Sequence, residues 1–322
     1  MNYRIKAIEY YLPERIIDNN YLRETAGMDT DFLNNKVGIK KRHIAAADET
    51  TSEMATKAAS KLIEKNGINS GEVDLLIICT QNPDYKLPTT ACIVQDKLKL
   101  KTSCIAFDVN LGCSGFVYSL AIAGNFIKSR MANYAMLIMV DQYSKLIDYT
   151  DKNTASLFGD AASAILVEPC TDSKGVIDAV FGTDGSNADK LIAFNSGVKR
   201  DSDKNNFLYM DGREIFKFSV QVVPTSVTEI LKKNKLKISD IRYFIFHQAN
   251  KYILAEIQKR LEIADHQMII DLEDYGNTVS STIPMAYKNL CSKNELLKDD
   301  LVIFSGFGVG LSWGTILYRY IY

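Results

Sequence analysis

Apolar runs of strand length alternate with helical patterns along most of this chain. Residues 51–65 place apolar side chains at helical spacing, with Met54, Ala58 and Leu62 on one stripe, which predicts an amphipathic helix. A second helix is predicted over residues 116–129. Largely apolar runs, typical of strands covered on both faces of a sheet, lie at residues 73–79, 105–109 and 134–140. This alternation of helices and buried strands predicts an α/β fold.

The second half of the chain repeats the pattern of the first half. Residues 62–82 align with residues 230–250 without a gap, so that two apolar strands and the polar turns after them coincide. Two further similarities follow in the same order: Cys113 with Asn277, and 158–159 with 307–308. Their common order and similar spacing indicate internal duplication, with chance similarity between two βα units as the alternative.

Duplication predicts two halves, residues 1–170 and 171–322, packed about a pseudo-twofold axis. Sites in α/β sheets of this kind lie at the carboxyl ends of the strands. Cys113, His247 and Asn277 each lie in a turn-like segment after an apolar run. We therefore expect these three side chains to meet near the axis.

Composition limits the function classes that the chain can serve. With 322 residues, 47% of them hydrophobic, it can bury a large core. A net charge of −1 gives no electrostatic reason to expect binding to nucleic acid or to an anionic membrane. No apolar stretch approaches the roughly 20 residues that a membrane helix needs, and the N-terminus lacks the apolar segment of a signal peptide. We expect a cytoplasmic protein with reduced cysteines and no zinc-binding pattern.

Cys113 is the strongest candidate for a nucleophile. It follows a predicted strand, precedes a predicted helix and has Gly112 and Gly115 beside it. The N-terminus of a helix favours thiolate, so we expect the pKa of this thiol to be lowered. The other cysteines are expected to be buried structural residues: Cys79, Cys92, Cys104, Cys170 and Cys291.

His247 and Asn277 supply polar groups suited to binding a carbonyl oxygen. His247 ends an apolar run and begins the sequence HQAN, while Asn277 lies in the sequence YGNT. A thiol nucleophile beside this pair suits acyl transfer through a thioester. The alternatives are a core histidine and a simple turn asparagine. His43 and His266 are expected to be structural or surface residues.

Two segments are expected to form loops. Residues 306–314 are rich in glycine but lack the Lys-Ser/Thr pair and the following helix of a phosphate loop. Such a strand connection is better explained by a close approach of the backbone to a ligand or to the nucleophile. Residues 195–206 are polar and are predicted to form an inserted surface loop.

These motifs resemble the β-ketoacyl-acyl carrier protein synthase III family of the thiolase superfamily, and the similarity runs over nearly the whole chain. The resemblance implies a thiolase-like five-layered αβαβα fold with internally duplicated halves, a homodimer, and a reaction in two stages. An acyl group would move from coenzyme A or an acyl carrier protein to Cys113. Malonyl-acyl carrier protein would then lose CO₂, and its carbanion would attack the acyl-enzyme to give a 3-oxoacyl thioester.

The resemblance also implies roles for particular residues. His247 and Asn277 would donate hydrogen bonds to the enolate oxygen that forms as malonyl loses CO₂. The backbone N–H groups of Cys113 and Val309 would hold the oxyanion of the acyl intermediate. No metal and no permanently bound cofactor are implied, since the coenzyme A thioester is a substrate.

Several of the family's coenzyme A contacts are altered in this chain. Phe32 replaces the usual tryptophan, and Lys36 and Lys152 replace arginines, which grip phosphate better than lysine does. Coenzyme A is therefore expected to bind more weakly, or an acyl carrier protein to be the donor. The full set of substrate contacts implied by the resemblance is Phe32, Lys36, Lys152, Met210, Gly212, Phe216 and Asn250.

Contacts with protein partners are implied in the same way. Lys217, Lys259 and Arg260 match the family's carrier-protein patch, in which Tyr252 replaces an arginine. Leu87 stands where many members place a phenylalanine that reaches into the partner subunit's acyl pocket. The smaller side chain is expected to leave room for a longer or branched acyl group.

Three rival functions fit parts of the pattern. An acyltransferase of the same fold would pass the acyl group to an amine or alcohol, but it would not need both His247 and Asn277. A Cys-His-Asn hydrolase would need histidine as a base near the sulfur, and the papain-type sequence around the cysteine is missing. An inactive binding subunit would not need all three groups. Fatty acid synthesis and specialised lipid or polyketide synthesis both remain open as pathways.

Overall fold

The structure is a computed structural model that describes residues 2–171 and 174–322. Its α-helices are α1 Asn19–Ala26, α2 Thr51–Asn66, α3 Thr90–Lys97, α4 Gly115–Lys128, α5 Lys152–Ala155, α6 Gly212–Lys233, α7 Lys251–Leu261 and α8 Thr282–Ser292. Its strands are β1 Asn2–Tyr11, β2 Arg15–Asp18, β3 Lys41–Ile44, β4 Leu75–Cys79, β5 Ile105–Val109, β6 Ala135–Asp141, β7 Ala161–Cys170, β8 Gly175–Thr183, β9 Leu191–Ala193, β10 Leu208–Met210, β11 Tyr243–Phe246, β12 Leu301–Gly308 and β13 Ser312–Arg319.

Two large sheets share one topology. The first has the strand order β1-β7-β6-β4-β5, and the second has the order β8-β13-β12-β11. In each sheet the first two pairings in this order are antiparallel and the remaining pairings are parallel. A single parallel bridge between Phe244 and Met268 lies where the second sheet would carry a counterpart of β5. The common order confirms the predicted duplication at the level of the fold.

The helices complete five layers. Helices α4 and α8 pack between the two sheets in one buried cluster. Helices α2 and α3 cover the outer face of the first sheet, and α6 and α7 cover the outer face of the second. The αβαβα layering is therefore as predicted. Because β7 ends at Cys170 and β8 begins at Gly175, we propose that the halves divide between residues 170 and 171.

Local sequence explains why the helices begin and end where they do. Helix α2 starts at a capping box in which Thr50 and Glu53 satisfy each other's backbone N–H groups, and Gly67 ends it in the left-handed conformation. Gly115 opens α4 against β4, because a Cβ atom there would lie 2.2 Å from the sulfur of Cys79. This close approach fixes the turn that carries Cys113.

Most of the predicted elements agree with the structure. The predicted strands and the helices over 51–65 and 116–129 are present, with ends that differ by one or two residues. Residues 195–206 form a largely exposed loop between β9 and β10. The expectation of buried cysteines is confirmed for Cys79 and wrong for Cys92, which is exposed on α3. The other three are only partly buried: Cys104, Cys170 and Cys291. Within 2–171 and 174–322, no helix combines the length and the apolar character needed to cross a bilayer.

Candidate active site

Cys113, His247 and Asn277 line one narrow cavity of about 80 Å³. Cys113 lies two residues before α4, His247 directly follows β11, and Asn277 precedes the 3₁₀ turn Val279–Ser281 at the start of α8. Their exposed fractions are 5%, 2% and 4%. The rest of the wall is largely apolar and includes Leu157, Phe158, Leu191, Ile215, Ile253 and Phe307. The fold thus brings together three residues that are far apart in sequence.

The glycine-rich end of β12 passes directly over Cys113. A Cβ atom on Gly306 would lie 2.8 Å from the carbonyl oxygen of Cys113. A Cβ atom on Gly308 would lie 3.1 Å from its sulfur. Only glycine permits this approach, so the prediction that residues 306–314 bring backbone close to the nucleophile agrees with the geometry.

The thiol of Cys113 is strongly desolvated. Burial, with a smaller contribution from the buried Asp141 carboxylate, raises the pKa of Cys113 to about 12. The backbone N–H groups of Cys113 and Val309 reach the sulfur and act in the opposite direction, lowering the pKa. The expected lowering of this pKa by the helix is therefore wrong for the free chain. The sulfur lies before the first residue of α4, and desolvation outweighs the dipole.

His247 is held in the neutral form. Burial lowers the pKa of its imidazole to about 3. Its Nδ1 atom lies 2.8 Å from the hydroxyl oxygen of Thr282, and the ring packs edge-on against Phe307 with centroids 5.5 Å apart. The Thr282 hydroxyl donates a 3.0 Å hydrogen bond to the carbonyl oxygen of Val279, so it accepts from Nδ1–H of His247. These contacts fix the ring and leave Nε2 as its remaining polar atom.

The carboxamide of Asn277 has a defined orientation. Its Oδ1 accepts a hydrogen bond of 3.0 Å from the backbone N–H of Val279. Because a backbone N–H can only donate, the oxygen must face Val279 and the NH₂ group is left for the cavity. The backbone of Asn277 is itself held by Leu157 and Gly159, at 2.9 and 3.1 Å. Asn277 therefore offers a donor to a bound ligand.

The neutral state of His247 predicts a pH dependence of folding. The pKa is about 3 in the folded chain and about 6.5 when unfolded. This group's contribution to stability is therefore complete above pH 6.5 and is lost as the pH falls towards 3. Relative to His247→Gln, the wild type should lose about 2 kcal/mol of unfolding free energy between pH 7 and pH 5. Urea denaturation at both pH values measures this difference, and parallel pH profiles for the two proteins would contradict it.

The predicted substrate contacts separate into two groups. Met210, Gly212 and Asn250 line the cavity, although Asn250 also caps α7 by accepting from the N–H of Ile253. The other four predicted contacts do not line this cavity: Phe32, Lys36, Lys152 and Phe216.

These four residues lie on separate elements. Phe32 is half-buried at the start of a π-helical turn, and Lys36 is exposed in the same turn. Lys152 begins α5, and its Nζ donates a 3.3 Å hydrogen bond to the carbonyl of Gly27. Phe216 on α6 stacks on Tyr252 of α7, with ring centroids 5.2 Å apart.

The predicted carrier-protein patch lies on the outer helices α6 and α7. Lys217 is exposed and pairs with Glu214, and Arg260 pairs with Glu256. Lys259 is exposed beside Arg260. The nearby carboxylates reduce the positive charge of this surface, because exposed pairs of this kind neutralise each other locally. On a separate surface, before α3, the side chain of Leu87 is 87% exposed.

Sequence analysis missed a buried polar group beside the nucleophile. Asp141 ends β6 and accepts hydrogen bonds from the backbone N–H of Gln81 at 2.8 Å and from the hydroxyl of Ser280 at 3.0 Å. Burial raises the pKa of Asp141 to about 7. It joins the loop after β4 to the start of α8, and so links the two halves behind Cys113. The sequence contained one signal for this buried group, because Asp141 is a carboxylate at the end of an uninterrupted apolar run.

Comparison with known proteins agrees with this geometry. Residues 107–185 match the family model "3-Oxoacyl-[acyl-carrier-protein (ACP)] synthase III", and residues 231–320 match the model of its C-terminal region. The chain is 39% identical to the β-ketoacyl-[acyl-carrier-protein] synthase III of Clostridium tetani, over 99% of this chain and 98% of that protein.

Solved structures give the same result. A crystal structure of a 3-oxoacyl-(acyl-carrier-protein) synthase III matches with a TM-score of 0.95 and 35% identity, covering 99% of this chain and 100% of the other. The corresponding enzyme of Aquifex aeolicus matches with a TM-score of 0.92 and 33% identity, over 99% and 100% of the two chains. The similarity therefore extends over both halves of the fold.

Proposed function

Because the chain belongs to the β-ketoacyl-acyl carrier protein synthase III family, we propose that it is an acyl-thioester condensing enzyme that uses Cys113, His247 and Asn277. One observation carries this proposal: a buried thiol, a neutral imidazole and an oriented carboxamide share one narrow apolar cavity. The largely apolar wall of the cavity offers few polar groups to hold a hydrolytic water, which favours attack by a carbanion over hydrolysis.

In the first stage the sulfur of Cys113 attacks the carbonyl carbon of an acyl thioester. The carbon–sulfur bond to the donor breaks, and the donor leaves as a thiol that carries the proton lost by Cys113. The N–H groups of Cys113 and Val309 bind the oxyanion of the intermediate, and their hydrogen bonds to the sulfur support this assignment. Since the free thiol is protonated at neutral pH, its deprotonation accompanies the attack.

In the second stage malonyl-acyl carrier protein loses CO₂, and its thioester oxygen becomes an enolate oxygen. The NH₂ group of Asn277 donates to this oxygen, and so does Nε2–H of His247. In the free chain the Thr282 hydroxyl donates to the carbonyl of Val279, so the ring proton lies on Nδ1. The second bond therefore requires the hydroxyl to turn and donate to Nδ1 instead, which places the ring proton on Nε2. The enolate carbon attacks the acyl group, and the carbon–sulfur bond to Cys113 breaks to release a 3-oxoacyl thioester. Cys113 leaves as thiolate and takes up one proton from solvent, which restores the free thiol. Preorganised donors of this kind contribute about 3–4 kcal/mol each.

The finer assignments follow from the same proposal. Coenzyme A or an acyl carrier protein delivers the acyl group, with Met210, Gly212 and Asn250 at the cavity and Phe32, Lys36, Lys152 and Phe216 outside it. The surface of Lys217, Lys259 and Arg260 receives the carrier protein. The enzyme acts in the cytoplasm as a homodimer, with the exposed Leu87 at the interface. It serves fatty acid synthesis or a specialised lipid or polyketide pathway.

Product analysis tests the proposed reaction. With an acyl donor and malonyl-acyl carrier protein, we expect one CO₂ and one 3-oxoacyl-carrier protein for each acyl group consumed. Mass spectrometry of the carrier protein identifies the product, and reactions that lack the acyl donor serve as the control. Release of free fatty acid without a new carbon–carbon bond would instead indicate a hydrolase. Acylation of an added amine or alcohol would indicate an acyltransferase.

A further inference from the structure

A strained residue lies between the two side-chain donors of the site. Val279 is fully buried, and its φ of +54° places it in the left-handed region. This region is unfavourable for a β-branched side chain, so the surrounding structure must hold the backbone there. Strained residues of this kind concentrate at functional sites.

The positions of both donors depend on the backbone of Val279. Its N–H donates at 3.0 Å to Oδ1 of Asn277, which leaves the NH₂ group for the cavity. Its carbonyl oxygen accepts at 3.0 Å from the hydroxyl of Thr282, and that hydroxyl oxygen lies 2.8 Å from Nδ1 of His247. The second contact positions the ring whichever of the two atoms donates. A relaxation of Val279 to negative φ would reorient its peptide groups and so displace both donors.

The segment that follows this residue is anchored to the first half of the fold. The hydroxyl of Ser280 donates at 3.0 Å to Oδ2 of Asp141, and the backbone N–H of Ser280 donates to the same carboxylate. The hydroxyl of Ser281 donates at 2.8 Å to the carbonyl oxygen of Met139. Ser280 is the next residue after the strained one, so the carboxylate of Asp141 acts one peptide bond away from it.

The carboxylate of Asp141 accepts on both sides. It holds Ser280 on one side and accepts at 2.8 Å from the backbone N–H of Gln81 on the other. We propose that Asp141 is a positioning residue for the second stage. By holding Ser280, it keeps Val279 in the left-handed conformation on which both donors to the enolate oxygen depend. The inference rests on the proposed function, which assigns those donors to the second stage.

Removal of this carboxylate should affect the two stages differently. Asp141→Ala leaves the N–H and the hydroxyl of Ser280 without their acceptor. Because a displacement of about 1 Å can cost ~10²-fold in rate, decarboxylation of malonyl-acyl carrier protein should fall at least ~10-fold relative to acylation of Cys113. Acylation should not slow, since the charge of Asp141 is one of the effects that raise the pKa of the Cys113 thiol. A general loss of structure would slow both stages together.

A second variant keeps the test open if Asp141→Ala does not fold. Ser280→Ala removes only the hydroxyl and leaves the bond between Asp141 and Gln81 intact. It should lower decarboxylation relative to acylation in the same direction, by ~3-fold or more.

Asp108→Ala is the matched control. Asp108 is also a carboxylate near the end of a parallel strand, and it accepts at 2.7 Å from the backbone N–H groups of Thr90 and Ala91 at the start of α3. That helix carries none of the three site residues. This control should lower the melting temperature and leave the ratio of the two rates as in the wild type.

A glycine at the strained position tests the cause directly. Glycine adopts the left-handed region without strain, so its backbone needs less support from the carboxylate. Adding Val279→Gly to Asp141→Ala should therefore recover decarboxylation relative to acylation by ~3-fold or more, although loss of the buried side chain lowers the melting temperature.

The experiment measures both rates on each full-length protein at about pH 8, above the pKa of about 7 that burial gives Asp141. Intact-protein mass spectrometry follows the acetyl adduct on Cys113, and CO₂ release follows decarboxylation. Equal losses in both stages for Asp141→Ala overturn the inference, as does a folded Ser280→Ala protein with the wild-type ratio of rates. A Val279→Gly double variant without recovery overturns it too. A wild type that neither acylates Cys113 nor releases CO₂ would instead overturn the proposed function.

Discussion

Replacing Cys113 with serine should abolish formation of the acyl-enzyme. A serine hydroxyl is a far weaker nucleophile than a thiol, and the backbone N–H groups of Cys113 and Val309 beside it are donors that cannot remove its proton. Loss of a covalent nucleophile lowers the rate by on the order of 10⁴-fold or more. Mass spectrometry after incubation with an acyl thioester measures the adduct directly. Serine fits the space of Cys113, so the melting temperature should change little.

The exposed Cys92 provides the matched control. Cys92→Ser removes a more accessible thiol and should leave acyl-enzyme formation as in the wild type. Labelling of another cysteine in the wild type, with Cys113 unmodified, would contradict the assignment of the nucleophile.

Replacing His247 or Asn277 with alanine should slow decarboxylation of malonyl-acyl carrier protein by ~10²–10³-fold. Each substitution removes one donor to the enolate oxygen, whereas the oxyanion donors of the first stage come from the backbone. Acylation of Cys113 should therefore fall much less than decarboxylation. Release of CO₂ and the rate of adduct formation report the two stages separately.

Asn277→Asp is a sharper version of this test. It keeps the shape of the side chain but replaces the NH₂ donor by an oxygen, so decarboxylation should fall at least as far as in the alanine variant. The backbone N–H of Val279 can still be satisfied by a carboxylate oxygen, which argues for an intact fold. Equal losses in both stages would favour a hydrolase-like use of the three residues.

The layered fold and the grouping of the three site residues could be predicted because both depend on local patterns. The apolar runs that form β4 and β6 are long enough to identify without a structure. The repeat also predicted that β11 in the second half is the counterpart of β4 in the first. The glycines of residues 306–314 signalled a close backbone approach to the nucleophile, which Gly308 supplies. These signals lie within short stretches of the sequence.

The electrostatics of the site could not be predicted in the same way. The pKa of Cys113 depends on burial by β12 and on Asp141, neither of which is close to it in sequence. From sequence, the position before a helix predicted the opposite direction of the shift. The hydrogen bond from the hydroxyl of Tyr143 to Gln81 joins two loops that only the tertiary fold brings together. Single polar residues in such loops carry no local pattern.

The most direct test of the central claim is a single-turnover chase of the acyl group on Cys113. The enzyme is loaded with labelled acetyl from its thioester, freed of excess donor, and mixed with malonyl-acyl carrier protein. We predict one label on Cys113, followed by its complete transfer into a 3-oxoacyl-carrier protein as one CO₂ per site is released. A label that leaves Cys113 as free acetate, or that never resides on Cys113 while the condensed product still forms, would contradict the mechanism.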